Sequence, residues 1–344
     1  MLDNQNETPL LRVDHIACTL DTDSGPIRVL EGIDFRLRPR TALGIVGESG
    51  AGKSMLIKAI MGITPNGMRV DGRIVFDGED LLGLPRQKRS ELLVRRVGMV
   101  FQNPMTSLNP FVRVGRQIEE AARAHLGLSK REARARAIEL LGVVGIADPE
   151  DCYGYFPHHF SGGMKQRIMI AAALACKPDL LIADEATTAL DVTVQKEVLD
   201  LLQALQRERQ MSMIIVSHNL AIVAGRTDEL LVLYGGHIVE YGRTDAVFRN
   251  PRHHYTAALL SAMPRMDQPA HTKLATIPGA PPSLSAERKG CPFAPRCGAA
   301  ETVCHEDMPA MTEGEESGHR FACHFPVGAE DGLAVSHARA ERAE

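Results

Sequence analysis

Gly47-Glu48-Ser49-Gly50-Ala51-Gly52-Lys53-Ser54 packs three glycines, a lysine and a terminal hydroxyl into eight residues. The spacing fits G-x-x-x-x-G-K-[ST], whose chemistry is phosphate binding. Glycines let such a loop curl until several backbone N–H groups converge on phosphate oxygens, with a helix N-terminus behind them. Lys53 would bridge the β- and γ-phosphates, and Ser54 would offer its hydroxyl to Mg2+. A second chemical group is LLIADE, residues 180–185, where four apolar residues precede Asp184 and Glu185. An acidic pair at the end of a strand can divide the labour: Asp184 holds Mg2+, directly or through water, and Glu185 polarises the attacking water. MIIVSHN leaves His218 at the end of another apolar run, placed to sense a γ-phosphate. Gln102, after VGMVF, can reach the same metal or water. A lone histidine is ordinarily incidental, and only the company of the other groups gives His218 a role. The set predicts hydrolysis of a nucleoside triphosphate.

A separate cluster lies near the C-terminus. CPFAPRCGAAETVC places Cys291, Cys297 and Cys304 within residues 291–304, and Cys323 follows. Their spacing, x5, x6 and x18, is not the tight C-x2-C pair of many zinc sites. By count, four thiolates hold Zn2+ or a [4Fe-4S] cluster equally well, and reduced thiols without a ligand are the third possibility. Gly290, Pro292 and Pro295 keep the intervening backbone in turns, which lets distant thiols converge. Cys18, Cys152 and Cys176 fit no ligand spacing and read as small buried apolar residues.

These groups need a framework. Short apolar runs alternating with helical patterns predict α/β units around a largely buried sheet, with strands at Leu43–Val46, Val97–Phe101, Leu180–Ala183 and Met213–Ser217. Residues 230–241 read as a hairpin turning at Gly235-Gly236. Val194, Val198, Leu201, Leu202 and Leu205 form one apolar helical stripe, read as core packing. Residues 112–150, rich in Ala, Arg, Glu and Leu, predict an inserted helical subdomain, with Arg131, Arg134 and Arg136 on a solvated face. After Asn250 the pattern breaks into short apolar pieces with prolines and glycines.

The chain's 344 residues allow two domains. A net charge of −4 gives no global basic field for nucleic acid, and aromatics at 4% without Trp offer few platforms for stacking bases. The polar, acidic MLDNQNETPLL lacks the chemistry of a secretory signal, and no apolar run reaches the ~18 residues of a membrane span. Residues 327–344, small and charged, read as a disordered tail.

HHFSGGMKQR, residues 158–167, narrows the class. With GESGAGKS, Gln102, LLIADE, TALD (residues 188–191) and His218, it closely resembles the ATP-binding-cassette (ABC) ATPases. The resemblance implies an α/β, P-loop NTPase core of ABC type over residues 10–250, with a helical subdomain at about 112–175 carrying the signature. In that family Ser161, Gly162 and Gly163 would face the γ-phosphate of ATP held by a second ABC ATPase subunit, packed head to tail, with Asp191 at the seam. A serine hydroxyl and open N–H groups at a helix start suit that task. FQNPMTSLNP, DVTVQKEVLDLL, NPRHHYTAALLSAMP and IPGAPPSL…GCPFAPRC are similar to the cassette subunits of oligopeptide and dipeptide importers. That branch implies a small, irregular Cys-rich C-terminal region over 251–326. It also implies two integral membrane permease subunits fed by an extracytoplasmic solute-binding protein, and a peripheral place on the cytoplasmic face of the membrane. The second cassette would be a related, non-identical chain. It also tips the cysteine cluster toward [4Fe-4S], with zinc as the alternative. Relatives that move nickel or glutathione are the second reading. A soluble cassette acting on ribosomes or DNA is the third, disfavoured by the absence of a tandem cassette or long coiled-coil insertion.

Three positions depart from the family's habit. Leu20 stands where an aromatic would stack on adenine, so the ring-on-ring contribution is lost. Arg40 stands where a glycine closes the turn before the P-loop strand, which predicts a negative φ there. Ala186 replaces the proline after the acidic pair, a change of roughly 0.4–1 kcal/mol through unfolded-chain entropy if the backbone suits proline.

Overall fold

The computed structural model describes residues 8–23, 25–102, 104–186, 191–263, 276–282 and 289–328. Residues 329–344 of the expected tail, and residues 187–190, which include all of TALD but Asp191, lie outside them. The chain divides into two compact units: Met1–Leu11, Leu37–Ala42 and Val75–Val216 form the first, and Arg12–Arg36, Leu43–Ile74 and Ser217–Glu344 form the second. Among the described residues no helix is long and apolar enough to cross a membrane.

In the second unit, β1 (Leu11–Thr22), β2 (Gly25–Leu37) and β4 (Met68–Phe76) hydrogen-bond in the order β2-β1-β4. A separate ladder begins with β3 (Ala42–Val46), whose five residues are all buried, as a strand covered on both faces requires. It pairs in parallel with β9 (Glu229–Tyr234), with Leu43 opposite Glu229 and Val46 opposite Val232. β9 turns through Gly235 (φ 54) and Gly236 (φ 85), both in the left-handed region a two-residue hairpin favours, into β10 (His237–Arg243). The region after Asn250 is less irregular than its sequence implies. β12 (Arg320–Phe321) pairs antiparallel with β10, Phe321 opposite Glu240, and β11 (Thr312–Glu313) pairs with β12. The helices of this unit are α1 (Lys53–Met61), α9 (Leu220–Val223), α10 (Thr244–Arg249), α11 (His254–Ser261) and α12 (Thr302–Glu306). The fully buried carboxylate of Glu240 fastens the start of α11 and the segment around His319 to the ladder. It accepts from Arg252 N at 2.7 Å, His253 N at 2.9 Å and His319 Nε2 at 2.8 Å.

In the first unit, β6 (Val97–Val100), β7 (Leu180–Asp184) and β8 (Ser212–Ser217) run parallel, with Val100 opposite Ala183 and Asp184 opposite Val216. A tight turn at Asp77-Gly78 brings β5 (Glu79–Asp80) back against the end of β4. The helices are α2 (Arg86–Arg96), α3 (Pro104–Ser107), α4 (Val114–Leu126), α5 (Lys130–Val143), α6 (Pro149–Cys152), α7 (Gly162–Ala173) and α8 (Val192–Glu208). α4, α5 and α7 pack on one another. Ser129 starts α5 with a reciprocal capping box to Glu132. α8 buries Val198, Leu202 and Leu205 of the expected stripe.

Two expectations need correcting here. Arg136 is not on a solvated face: its side chain is 10% exposed, and its guanidinium donates to the Ala175 carbonyl at 2.7 Å and the Leu174 carbonyl at 3.0 Å. Those carbonyls close α7, where a cation is favoured. Arg40 has φ 62, not a negative value. Its N–H donates to Ser212 Oγ at 2.8 Å and its carbonyl accepts from Gln206 Nε2 at 2.9 Å. These bonds hold a side-chain-bearing residue in a region that costs about 1–2 kcal/mol.

Candidate functional site

The phosphate-loop half is built by the second unit. β3 delivers the chain at Val46, and the loop Gly47–Gly52 leads directly into α1. Gly47 has φ 158, and a Cβ there would collide with the Leu233 carbonyl oxygen. Gly52 has φ 106, and its Cβ would lie 2.6 Å from Leu30 Cδ2. At 47 a side chain would strike backbone, and at 52 the left-handed φ strains any residue that carries one. Ser49 and Gly50 are exposed at the tip, Ala51 is buried, and Ser54 is exposed in the first turn of α1. Lys53 is 4% exposed, and its ammonium donates to the Gly47 carbonyl at 2.7 Å and the Glu48 carbonyl at 2.9 Å, following the curve of the loop. Leu20 is half-buried near the end of β1. His218 is exposed just after Ser217, in a turn fixed by Asn219, whose N–H donates to Ser217 Oγ at 2.9 Å.

The acidic half is built by the first unit. β7 carries Asp184 at its C-terminal end, and Glu185 N donates to the Val216 carbonyl at 3.0 Å. Glu185 then takes φ 47, a left-handed conformation uncommon for a residue with a side chain. Its Oε2 accepts from Gln102 Nε2 at 2.8 Å, across 83 positions of sequence. The expected partners of a nucleophilic water therefore meet. Ala186, behind them, is buried.

The same unit presents the signature turn. Ser161 caps α7, its Oγ accepting from Met164 N at 3.3 Å, and Ser161 and Gly162 are exposed. Asp191 caps α8 in the same way, through Val194 N at 3.0 Å. The two helix starts touch: a Cβ on Gly163 would lie 2.6 Å from Val194 Cγ1. Signature and Asp191 thus form one exposed surface with two helix N-termini.

Cys291, Cys297, Cys304 and Cys323 line one small cavity of the second unit, with His253, Phe293 and Phe325 also on its wall. Cys291 N donates to the Cys304 carbonyl at 2.8 Å, tying the first ligand candidate to the third. No disulfide joins them. Burial pushes the Cys297 thiol up to about 11 and that of Cys323 up to about 12, with the neighbouring thiols adding to both shifts. Among the described residues, no three or more His, Cys, Asp or Glu side chains stand at metal-holding separations. The expected Zn2+ or [4Fe-4S] site is therefore a converged set of thiols and not a preformed coordination shell. His253 is buried and its pKa is pushed down to about 3 by that burial, so it is neutral. Its Nδ1 accepts from Tyr255 N at 3.1 Å, which leaves the proton on Nε2, 4.0 Å from Cys291 Sγ.

Sequence reasoning missed one group altogether. Arg296, inside CPFAPRC, forks onto the Glu48 carboxylate at 2.5 and 3.1 Å, and Tyr255, inside HHYTAALL, accepts the Glu48 N–H at 2.8 Å. Both segments stood out only as marks of kinship, and nothing in their spacing points to a loop some 200 residues away.

Comparison with known proteins gives the family. Residues 30–188 match the ABC transporter family, and residues 239–304 match the oligopeptide/dipeptide transporter C-terminal region. The oligopeptide transport ATP-binding protein OppD of Salmonella typhimurium is 44% identical over 318 residues, 92% of this chain and 94% of that protein. OppD of Bacillus subtilis is 45% identical over 88% of this chain and 86% of its own. The dipeptide transport ATP-binding protein DppD of Escherichia coli is 43% identical over 92% and 97%. Among solved structures, the cassette cbiO1 from Clostridium perfringens superposes with a TM-score of 0.61 at 30% identity, over 71% of this chain and 92% of that one. The dimeric MJ0796 cassette bound to ADP and Pi also gives 0.61, at 24% identity over 68% and 98%, a likeness of fold. The chain belongs to the ABC transporter family of ATP-binding subunits, within its oligopeptide and dipeptide transport branch.

Proposed function

We propose that the protein is the ATP-hydrolysing subunit of an importer that takes up oligopeptides or dipeptides, bound peripherally at the cytoplasmic face of the membrane. Two membrane-spanning permease subunits form the path, a solute-binding protein outside delivers the peptide, and a second cassette subunit completes the ATPase. The observation that carries the hydrolytic half is Gln102 Nε2 on Glu185 Oε2, beside Asp184 at the end of β7. The relatives' names carry the peptide half.

The backbone of Gly47, Glu48, Ser49, Gly50, Ala51 and Gly52 curls around the phosphates, and Lys53 moves its ammonium from loop carbonyls to phosphate oxygens. Ser54, Gln102 and Asp184 would hold Mg2+, which when bound neutralises phosphate charge. Glu185, oriented by Gln102, takes the proton of the attacking water, and His218 donates to the γ-phosphate. Leu20 packs on the adenine. Ser161, Gly162, Gly163 and Asp191 serve the nucleotide of the second cassette, since two exposed helix starts favour an anion. ATP thereby joins two cassettes, and hydrolysis removes the shared contact. In this reading the nucleotide-binding domain spans 10–250 and includes the helical subdomain at about 112–175, and the C-terminal region follows over 251–326.

The four converged cysteines would hold a [4Fe-4S] cluster. What supports this is four thiols on one cavity, of which Cys291, Cys297 and Cys323 are pushed up by burial, a shift that a bound cationic metal reverses; to ligate it they close in from their present separations. Anaerobic purification with iron, sulfide and zinc analysis checks this, with about four iron and four sulfide per chain expected. Zinc alone, or no metal, would contradict it. For the assignment as a whole, the chain is affinity-purified from gently solubilised membranes. Two integral membrane proteins and a second cassette should co-elute; ribosomal proteins in their place would overturn the reading.

A further inference from the structure

Glu48 is the second residue of the phosphate loop, and a carboxylate is an unfavourable group beside a triphosphate. The fold handles it with three separate contacts. The carboxylate receives both arms of Arg296, at 2.5 and 3.1 Å; the N–H is donated to Tyr255 Oη at 2.8 Å; the carbonyl accepts from Lys53 Nζ at 2.9 Å. Two of the three come from the C-terminal region. Arg296 is itself built in: its side chain is 5% exposed, Nε donates to the Pro278 carbonyl at 2.8 Å, and NH1 donates to Tyr234 Oη at 3.0 Å. Tyr255 is fully buried against Tyr234 and Phe293. A guanidinium gripped in this way cannot swing to another partner, and its fork matches a carboxylate.

We propose that Arg296 and Tyr255 are positioning residues for ATP binding, acting through Glu48. Arg296 cancels the Glu48 charge and turns the carboxylate away from the phosphates, while Tyr255 fixes the direction of the Glu48 peptide. The C-terminal region is thus a part of the nucleotide site. This rests on the loop being the ATP site, as proposed above. Without Arg296, an uncompensated negative charge stands in the loop and repels the triphosphate.

The test is equilibrium binding of a fluorescent ATP analogue with Mg2+ to the full chain, together with thermal midpoints. Arg296→Gln should weaken binding about tenfold, and Arg296→Lys, which keeps charge but not the fork, about threefold. Tyr255→Phe should weaken it by a similar smaller factor. Removing the offending charge in the same chain, as Arg296→Gln with Glu48→Gln, should restore affinity to within about threefold of wild type. A merely structural Arg296 would not be rescued that way. Wild-type affinity in Arg296→Gln, or additive losses in the double variant, would overturn the proposal. If Arg296→Gln does not fold, Arg296→Lys decides, and unchanged affinity there overturns it. Failure of the wild-type chain to bind the analogue would sink the ATP-site reading itself, an outcome distinct from insensitivity to Arg296.

Discussion

At the scale of residues, the phosphate loop and the acidic pair were legible because their chemistry is local. Glycines at 47 and 52 are needed where a Cβ meets a carbonyl or a leucine, and Asp184-Glu185 follows a wholly apolar strand. The conformation of single residues was not legible in the same way. Arg40 was expected at negative φ because arginine disfavours the alternative, yet two hydrogen bonds across more than 160 positions hold it at φ 62. Replacing Arg40 with glycine keeps both bonds, since they use its backbone N–H and carbonyl. Relief of about 1–2 kcal/mol of strain is partly offset by glycine's greater unfolded entropy of about 0.4–1 kcal/mol. Arg40→Gly is therefore expected to stabilise the protein by roughly 0.5–1 kcal/mol. Urea unfolding measures this, and a lower midpoint at unchanged slope would contradict it.

At the scale of elements, strands buried on both faces were read to within a residue or so, β3, β7 and β8 among them. β1, β2 and β4 were harder: their mixed burial and a positive φ at His15 blur the alternation a half-buried strand should show. β12 contributes two residues to the ladder and has no pattern to detect. Its place is set by pairing with β10 and by Glu240, which ties Arg252, His253 and His319 together. Glu240→Ala strands those donors in a buried site, and a loss of at least about 3 kcal/mol is expected. Limited proteolysis should then cut first after residue 250; wild-type resistance would contradict that role for Glu240. The two helix starts of the signature surface give a second element-level expectation. Gly163→Ala places a methyl against Val194 Cγ1, so that Val194 must turn or the starts of α7 and α8 must shift, at about 1–3 kcal/mol. In the assembled importer, turnover should fall several-fold while nucleotide binding by the single chain stays near wild type. Unchanged turnover would mean the close approach of those helices has no part in function.

At the scale of the whole molecule, sequence order and spatial organisation diverge. Each compact unit takes three separate stretches of chain, so the order of motifs along the sequence does not say which belong together. The phosphate loop shares its unit with the cysteine region, and the acidic pair shares its unit with the signature helix. That is why Arg296 could not be assigned from sequence: its partner Glu48 is 248 positions away. ATP hydrolysis at Glu185 is what drives peptide uptake in this scheme. Wild-type and Glu185→Gln chains, each assembled with their membrane and cassette partners in lipid vesicles, should be compared for nucleotide binding, phosphate release and uptake of a labelled peptide. Binding within about threefold of wild type is expected, with phosphate release lower by about a hundredfold or more and uptake abolished. Phosphate release and uptake near the wild-type level in Glu185→Gln would contradict it.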